Sequence, residues 1–344
     1  MNPITVNFQE KSSIIHIKES LEGLLEQLKG LKTIMIIDEN VNNLYPNLLP
    51  NIPKIVIEAR EQNKTLETVA KIYEQLIELQ ADRHTFLLGI GGGIICDITG
   101  FVASTYMRGI RFGFVATTLM AQVDAAIGGK NGVNIQKNKN MVGTFSLPEF
   151  VWCDLSMLKT LPIRERNAGF VEVIKYGLIA DNELLSNIDE ISEITNNIET
   201  DTYKKILEIC ISIKASIIQR DPLEKGERKI LNFGHTLGHA IEKNSSLFNH
   251  GEAVGIGILA AMEISLKKGY ISRDEITKTA QMLQRFNLPI SMDRSLLKKS
   301  VESITSDKKR NGDHLDFIIL SKIGKASVES FEINELKTLL LSSI

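Results

Sequence analysis

The chain is poor in cysteine: Cys96, Cys153 and Cys210 are the only three in 344 residues, an odd and scattered set without paired spacing. That pattern excludes a disulfide framework. It reads as small buried residues with reduced thiols, as in a cytoplasmic protein. No stretch approaches the roughly 18 successive apolar residues of a membrane helix. Met1-Asn2-Pro3-Ile4-Thr5 runs into charged residues instead of an apolar segment, so no signal peptide is expected. An excess of charge of either sign is missing too. A formal net charge of -2 argues against nucleic acid or a membrane surface as a partner. Internal repeats and low-complexity tracts are also absent from the sequence.

What is present is a large apolar fraction, 43%, enough for two domains or one large α/β unit. Thr33-Ile34-Met35-Ile36-Ile37 is a continuous apolar run ending in Asp38-Glu39-Asn40, the pattern of a buried strand entering a loop. Lys54-Ile55-Val56-Ile57 reads as a second strand. From Thr65 to Leu79 one face carries Leu66, Val69, Ile72, Leu76 and Leu79, which predicts a helix. Thr85 to Ile90 is a further strand, running into Gly91-Gly92-Gly93 and a helix from about Ile94. Strand, helix and strand with short connections predict a parallel sheet. Beyond about residue 160 helical patterns dominate, at 164–181, 183–197, 200–219, 227–245, 251–269, 273–286 and 331–342. One strand-like piece, Asp316 to Leu320, interrupts them. The expected fold class is therefore α/β. Residues 1–155 form an N-terminal nucleotide-binding domain with a Rossmann-like parallel sheet. A mostly α-helical C-terminal domain over 156–344 follows, with the active site in the cleft between them.

Two glycine-rich segments sharpen the first half. Gly89-Ile90-Gly91-Gly92-Gly93 sits at a strand-to-helix turn, where backbone amides and a helix N-terminus suit a pyrophosphate. The G-x-G-x-x-G fingerprint is nevertheless broken by Ile94. Asp97 follows in the helix, and Ala116-Thr117-Thr118 ends another apolar run with two hydroxyls. The stretch Asp124 to Asn134 combines glycines with Lys130, and Lys139-Asn140 comes soon after. So many glycines and polar groups suit a dinucleotide with a phosphorylated substrate beside it.

The second half carries the acids, cations and histidines. Glu172 has small and apolar neighbours in Ala168 to Gly177, with Lys175 three residues on; a helix-surface ion pair is the alternative to a functional role. Lys214, Glu224, Arg228 and Asn232 lead into a window holding three of the six histidines, His235, His239 and His250. Neutral imidazole is the commonest protein ligand for zinc and a proton carrier near pH 7. His235 and His239, four apart, would share a helix face, but Thr236 stands where a zinc protease needs Glu. Glu172 with two of the three histidines would complete a His₂Glu site with open positions. Arg228, Asn232 and His235, spaced by four and three, would share a helix face suited to an anionic substrate.

Several of these segments occur in an order that resembles the 3-dehydroquinate synthases. They are Gly91-Gly92-Gly93 through Asp97, Gly100-Phe101, Tyr106-Met107-Arg108-Gly109, Asp124 to Asn134, and Lys139-Asn140-Met141. Glu172-Val173-Ile174-Lys175, Leu231 to Glu242 and His250-Gly251-Glu252-Ala253-Val254 complete the set. The likeness runs from about Asp38 to Asp307-Lys308-Lys309. It implies a carbon–oxygen lyase that turns 3-deoxy-D-arabino-heptulosonate 7-phosphate into 3-dehydroquinate and phosphate, in the shikimate route to aromatic amino acids. Transient NAD oxidation at C5, phosphate elimination, re-reduction, ring opening and aldol closure are the implied steps.

The same resemblance implies NAD and a divalent metal as cofactors, zinc with cobalt as the alternative, in a cytoplasmic homodimer. It assigns Glu172, His235 and His250 to the metal, with His239 and Glu224 as proton-transfer groups. Asp38, Asn40, Glu61, Lys64, Gly91, Gly92, Gly93, Asp97, Thr117, Thr118, Lys139 and Thr160 would bind NAD. Asp124, Lys130, Asn140, Lys175, Lys214, Arg228 and Asn232 would contact the small anionic sugar phosphate. Arg108 would reach in from a dimer partner, and Lys308 of the Lys308-Lys309 pair would touch the phosphate. Cys96, Asn131, Asn138 and Leu147 depart from residues frequent in the family, which touches fine geometry and substrate preference. Competing expectations are another sugar-phosphate cyclase, a metal-dependent polyol dehydrogenase of related fold, and a non-catalytic protein that binds metal and nucleotide.

Overall fold

The computed structural model describes residues 3–343 apart from Gln9, Glu19, Glu22, Lys137, 192–200 and 305–309. The described parts of Met1–Pro162 and Asn196–Leu223 form one compact unit, and those of Ile163–Thr195 and Glu224–Ile344 a second. The first unit thus runs past residue 155 and takes in a helix, α7 (Asp201–Arg220), that the sequence pattern placed with the helical half.

A seven-stranded sheet organises the first unit, in the order β1-β2-β9-β6-β5-β3-β4. Its strands are β1 (Ile4–Phe8), β2 (Lys11–Lys18), β3 (Thr33–Asp38), β4 (Lys54–Ile57), β5 (Phe86–Gly91), β6 (Arg111–Ala116) and β9 (Phe150–Asp154). All pairs are parallel except β1 with β2. Strands β5 and β9 are buried at every position, because helices cover both faces of a parallel sheet and leave no polar side. Edge strand β4 instead alternates exposed and buried residues. Leaving aside the N-terminal hairpin, the strands follow the doubly wound 2-1-3-4-5 order, whose direction of winding reverses between β3 and β5. Helices α1 (Leu24–Gln27), α2 (Glu39–Leu44), α3 (Leu66–Glu78) and α4 (Gly93–Thr105) connect them. An antiparallel hairpin of β7 (Lys130–Ile135) and β8 (Asn138–Phe145) stands apart from the sheet. Helix α7 lies along β1, where Gln219 Nε2 donates to the Thr5 carbonyl at 3.2 Å.

The second unit is mostly helical: α5 (Ile163–Ile179), α6 (Asn182–Ile191), α8 (His235–Asn244), α9 (His250–Lys267), α10 (Arg273–Arg285), α11 (Arg294–Ser303) and α12 (Ile333–Leu341). Its three-stranded antiparallel sheet joins β10 (Arg310–Asn311), β11 (His314–Lys322) and β12 (Lys325–Glu332). Phe170 stacks on Phe286 at 4.1 Å in its core. The helix expected over 183–197 is seen to Ile191; the rest lies outside the described residues.

The long helix expected over 227–245 is two elements. A 3₁₀ turn, Glu227–Asn232, is separated from α8 by Phe233 and by Gly234, whose φ of +79° only glycine adopts without strain. Arg228, Asn232 and His235 therefore do not share one helix face. Helix α11 and strand β12 escaped the sequence pattern as well.

Candidate active site

At the point where the winding reverses, the C-terminal ends of β3 and β5 open side by side. Asp38 ends β3 and caps α2, its carboxylate accepting from the Asn40 amide at 3.3 Å. Burial raises its pKa above the ordinary carboxylate range. Gly91 ends β5, and Gly92 precedes α4, whose N-terminus no side chain caps. Its first amides thus present partial positive charge at a reversal point, the position where doubly wound sheets take nucleotide phosphates. A Cβ on Gly92 would stand 3.0 Å from Thr118 Cγ2, and one on Gly93 2.9 Å from the Ala125 Cβ. Thr117 donates its backbone amide to the Gly91 carbonyl at 3.0 Å, so both threonines border the glycine turn.

Beside this turn a polar cluster gathers residues from four separate segments. The Lys64 ammonium, 5% exposed, contacts the Asp97 carboxylate and donates to Asn140 Oδ1 at 2.6 Å. Lys139 lies 3.5 Å from Glu61, which also accepts from Asn134 Nδ2 at 2.8 Å. Asn140, expected on the substrate, thus shares a lysine with residues expected on NAD. Desolvation raises the Asp97 carboxyl even against the pull of Lys64. Lys214 donates to the Asp124 carboxylate at 2.6 Å and to its carbonyl at 2.7 Å. Asp124 sits in a π turn, Ala121–Ala125, pinned by the buried Gln122 amide, which donates to Ala116 and Asp154 carbonyls at 2.9 and 2.8 Å. Lys130 opens β7 on the surface. Thr160 bonds Tyr45 across 3.0 Å, a partner the sequence did not suggest. Arg108 is exposed in a turn where Met107, Arg108 and Gly109 all have positive φ.

The second unit brings Glu172, His235 and His250 together, with one ligand atom from each within 4.8 Å of the others. Glu172 is fully buried on α5 and paired with Lys175, which is 1% exposed. His235 and His250 are the first residues of α8 and α9. Each imidazole is held by its inner nitrogen: His235 Nδ1 lies 3.1 Å from the Phe233 carbonyl, and His250 Nδ1 3.1 Å from Glu242 Oε2. With the proton of a neutral ring on Nδ1, each Nε2 would turn its lone pair toward the side of Glu172 Oε1, which lies 3.6 and 3.7 Å away. These separations are too long for hydrogen bonds. Tetrahedral zinc with ligand distances of about 2.0–2.2 Å sets its donors roughly 3.4 Å apart, so two imidazoles and a carboxylate at this spacing fit such an ion. Burial pushes His235 down to about 4, which keeps it a neutral donor. Burial would also lower His250, but Glu242 and Glu172 outweigh it and raise that imidazole to about 10.

His239 stands close by, its ring 5.4 Å from that of His235 and 6.0 Å from that of His250. With Glu242 and His250 it forms a second donor group. Glu242, three residues after His239, had no role in the sequence pattern; its spacing from His239 was the available signal. Glu224 adopts a φ of +58° and accepts from the Asn232 amide, which also donates to the Lys229 carbonyl at 3.2 Å. Arg228, in the same 3₁₀ turn, is 1% exposed. Lys308 lies outside the described residues.

Two family models match the chain, 3-dehydroquinate synthase N-terminal over residues 54–168 and 3-dehydroquinate synthase C-terminal over 169–310. The 3-dehydroquinate synthase of Alkaliphilus metalliredigens is 38% identical over 339 residues, 96% of this chain and 95% of that one. Among solved structures, a 2-deoxy-scyllo-inosose synthase complexed with carbaglucose-6-phosphate, NAD+ and Co2+ superimposes with a TM-score of 0.86 at 26% identity, covering 100% of both chains. A 2-epi-5-epi-valiolone synthase from Streptomyces hygroscopicus subsp. jinggangensis, with NAD+ and Zn2+ bound, shares the fold with a TM-score of 0.85 at 24% identity over 98% of each chain. The chain belongs to the 3-dehydroquinate synthase family.

Proposed function

We propose that this chain converts 3-deoxy-D-arabino-heptulosonate 7-phosphate into 3-dehydroquinate and phosphate, with NAD restored in every turnover. The observation that carries the reading is the gathering of two imidazoles and a carboxylate, His235, His250 and Glu172, in one unit that also carries Lys175 and Arg228. A substrate with a carboxylate and a phosphate presents groups that lysine and arginine bind well, whereas the neutral substrate of a polyol dehydrogenase presents none.

Glu172, His235 and His250 would hold a divalent metal, zinc or cobalt. Asp38, Asn40, Glu61 and Lys64 would hold NAD together with Gly91, Gly92, Gly93, Asp97, Thr117, Thr118, Lys139 and Thr160. When bound, NAD supplies removal and return of a hydride, and the metal a Lewis acid for the C5 hydroxyl. Asp124, Lys175, Lys214, Arg228 and Asn232 bind and orient the substrate. Oxidation at C5 acidifies the proton on C6, and loss of that proton expels phosphate. Lys130, Asn140 and Lys308 counter the charge that develops on the leaving group. The His239 imidazole and the Glu224 carboxylate move protons, and the Asn232 amide holds Glu224 for that work. The enzyme acts in the cytoplasm as a homodimer, with Arg108 lent to the neighbouring subunit; its exposed position in a turn of positive φ supports that role.

The test is to supply the heptulosonate phosphate with NAD well below the substrate concentration. Phosphate should accumulate far beyond the NAD present, and a chelator should stop it. NADH formed in step with substrate loss, without phosphate, would favour the dehydrogenase reading.

A further inference from the structure

Helix α5 presents Arg164, Ala168 and Glu172 at spacings of four, one line along its surface. That line meets the first residues of α9 one after another. Arg164 grips Glu252 with both ends of its guanidinium, Nε to Oε1 at 2.7 Å and Nη2 to Oε2 at 2.6 Å. Gly251 lies against Ala168 so closely that a Cβ there would stand 2.2 Å from the Ala168 carbonyl oxygen. His250 then faces Glu172.

The same guanidinium also donates to the Leu247 carbonyl at 2.7 Å. His250 is thus bracketed, because residues three before it and two after it are tied to one side chain of α5. Asn249 adds a second tie, donating from Nδ2 to Glu165 Oε1 at 3.3 Å. Glu252 closes a capping box as well: its carboxylate accepts the Asn249 amide at 2.9 Å, and Asn249 Oδ1 accepts the Glu252 amide at 3.0 Å. A metal site tolerates errors of only about 0.2 Å in its ligand distances. A small slip of α9 along α5 would spoil it.

We propose that Arg164 is a positioning residue, which through Glu252 and the Leu247 carbonyl sets the His250 imidazole against Glu172 and so sets the affinity of the metal site. This rests on reading Glu172, His235 and His250 as that site. Among the described residues, the hydrogen bonds of Arg164 go to Glu252 and the Leu247 carbonyl. Its side chain is 60% exposed, so its loss should disturb the fold little.

The experiment titrates zinc into wild type, Arg164→Gln, Arg164→Lys and Glu252→Gln against a competing chelator, and records the visible spectrum of each cobalt-loaded protein. Partners that orient a metal ligand typically contribute about 10–100-fold in affinity. Arg164→Gln and Glu252→Gln should lose about tenfold or more and change the cobalt spectrum. Arg164→Lys, which keeps the charge but not the fork, should fall between them and wild type. Wild-type zinc affinity and an unaltered cobalt spectrum in Arg164→Gln would overturn the proposal, and would do so equally if only its melting temperature fell. A wild-type protein that takes up neither metal would overturn the metal reading itself, and this proposal with it.

Discussion

Protons decide what His250 can hold. Its imidazole, raised from 6.5 to about 10 by Glu242 and Glu172, carries a proton at neutral pH in chelator-stripped protein. His235, lowered to about 4, does not. A metal needs both rings neutral. Zinc uptake at pH 8 should therefore release about one proton, a yield that falls toward zero as pH passes about 10. Calorimetry in buffers of different ionisation enthalpy measures it, and zero release at pH 8 would contradict the geometry around Glu242. The same shift affects stability, since a folded-state value above the unfolded 6.5 favours the folded form. In stripped protein that contribution is complete below about 6.5 and lost as pH rises through about 10. The two donor groups sharing His250 can be told apart by mutation. His250→Ala should lose zinc, whereas His239→Ala should keep it and lose turnover by about 10²–10⁴-fold. Equal zinc loss in both would move the metal to His239, Glu242 and His250. Glu172 was legible in sequence because a carboxylate among small apolar neighbours needs a reason. The link from Lys64 to Asn140, 76 residues away, was not, because contacts between loops leave no periodic trace.

Helices α8 and α9 approach through glycine. A Cβ on Gly257 would lie 2.0 Å from the Gly234 carbonyl oxygen, and one on Gly238 3.1 Å from the Val254 Cα. This contact lets the helices that begin with His235 and His250 sit close enough for both rings to reach one carboxylate. Gly255, two residues from Gly257 on the same helix, has only ordinary neighbours, the nearest at 3.6 Å. Gly257→Ala should therefore destabilise by about 1–3 kcal/mol or more through overpacking against backbone. Gly255→Ala should be neutral or stabilise by up to about 1 kcal/mol through helix propensity. Urea denaturation of the two variants gives both values, and similar losses in both would show that the crossing tolerates a methyl group. Helix positions were readable from periodicity, as in α3, whose buried Val69, Ile72 and Leu76 match the middle of the expected stripe, while Leu66 and Leu79 at its ends are exposed. The break at Phe233-Gly234 was not, because Arg228 to His235 keeps helical spacing in sequence while one residue takes a left-handed backbone. Strand β12 was hidden too, since its mixed residues Lys325 to Glu332 are mostly half-buried and make no apolar run.

At the scale of the whole chain, the parallel sheet was legible because β3 and β5 are continuous apolar runs. The partition was less so. Helix α7 has the same amphipathic look as its neighbours in sequence, and nothing in that pattern says which core it serves. Its place in the first unit is fixed by long-range pairs, Lys214 with Asp124 and Gln219 with Thr5, that only the folded chain displays. This has a consequence for synthesis. At the usual elongation rates of about 5–20 residues per second, Lys214 leaves the ribosome roughly 5–20 s after Asp124, 90 residues earlier. During that interval the nascent sheet has no α7 to cover β1, while α5 and α6 of the other unit are being made. A gene truncated after residue 155 would leave β1 without α7, and a fragment supplying 201–220 in trans would restore that cover.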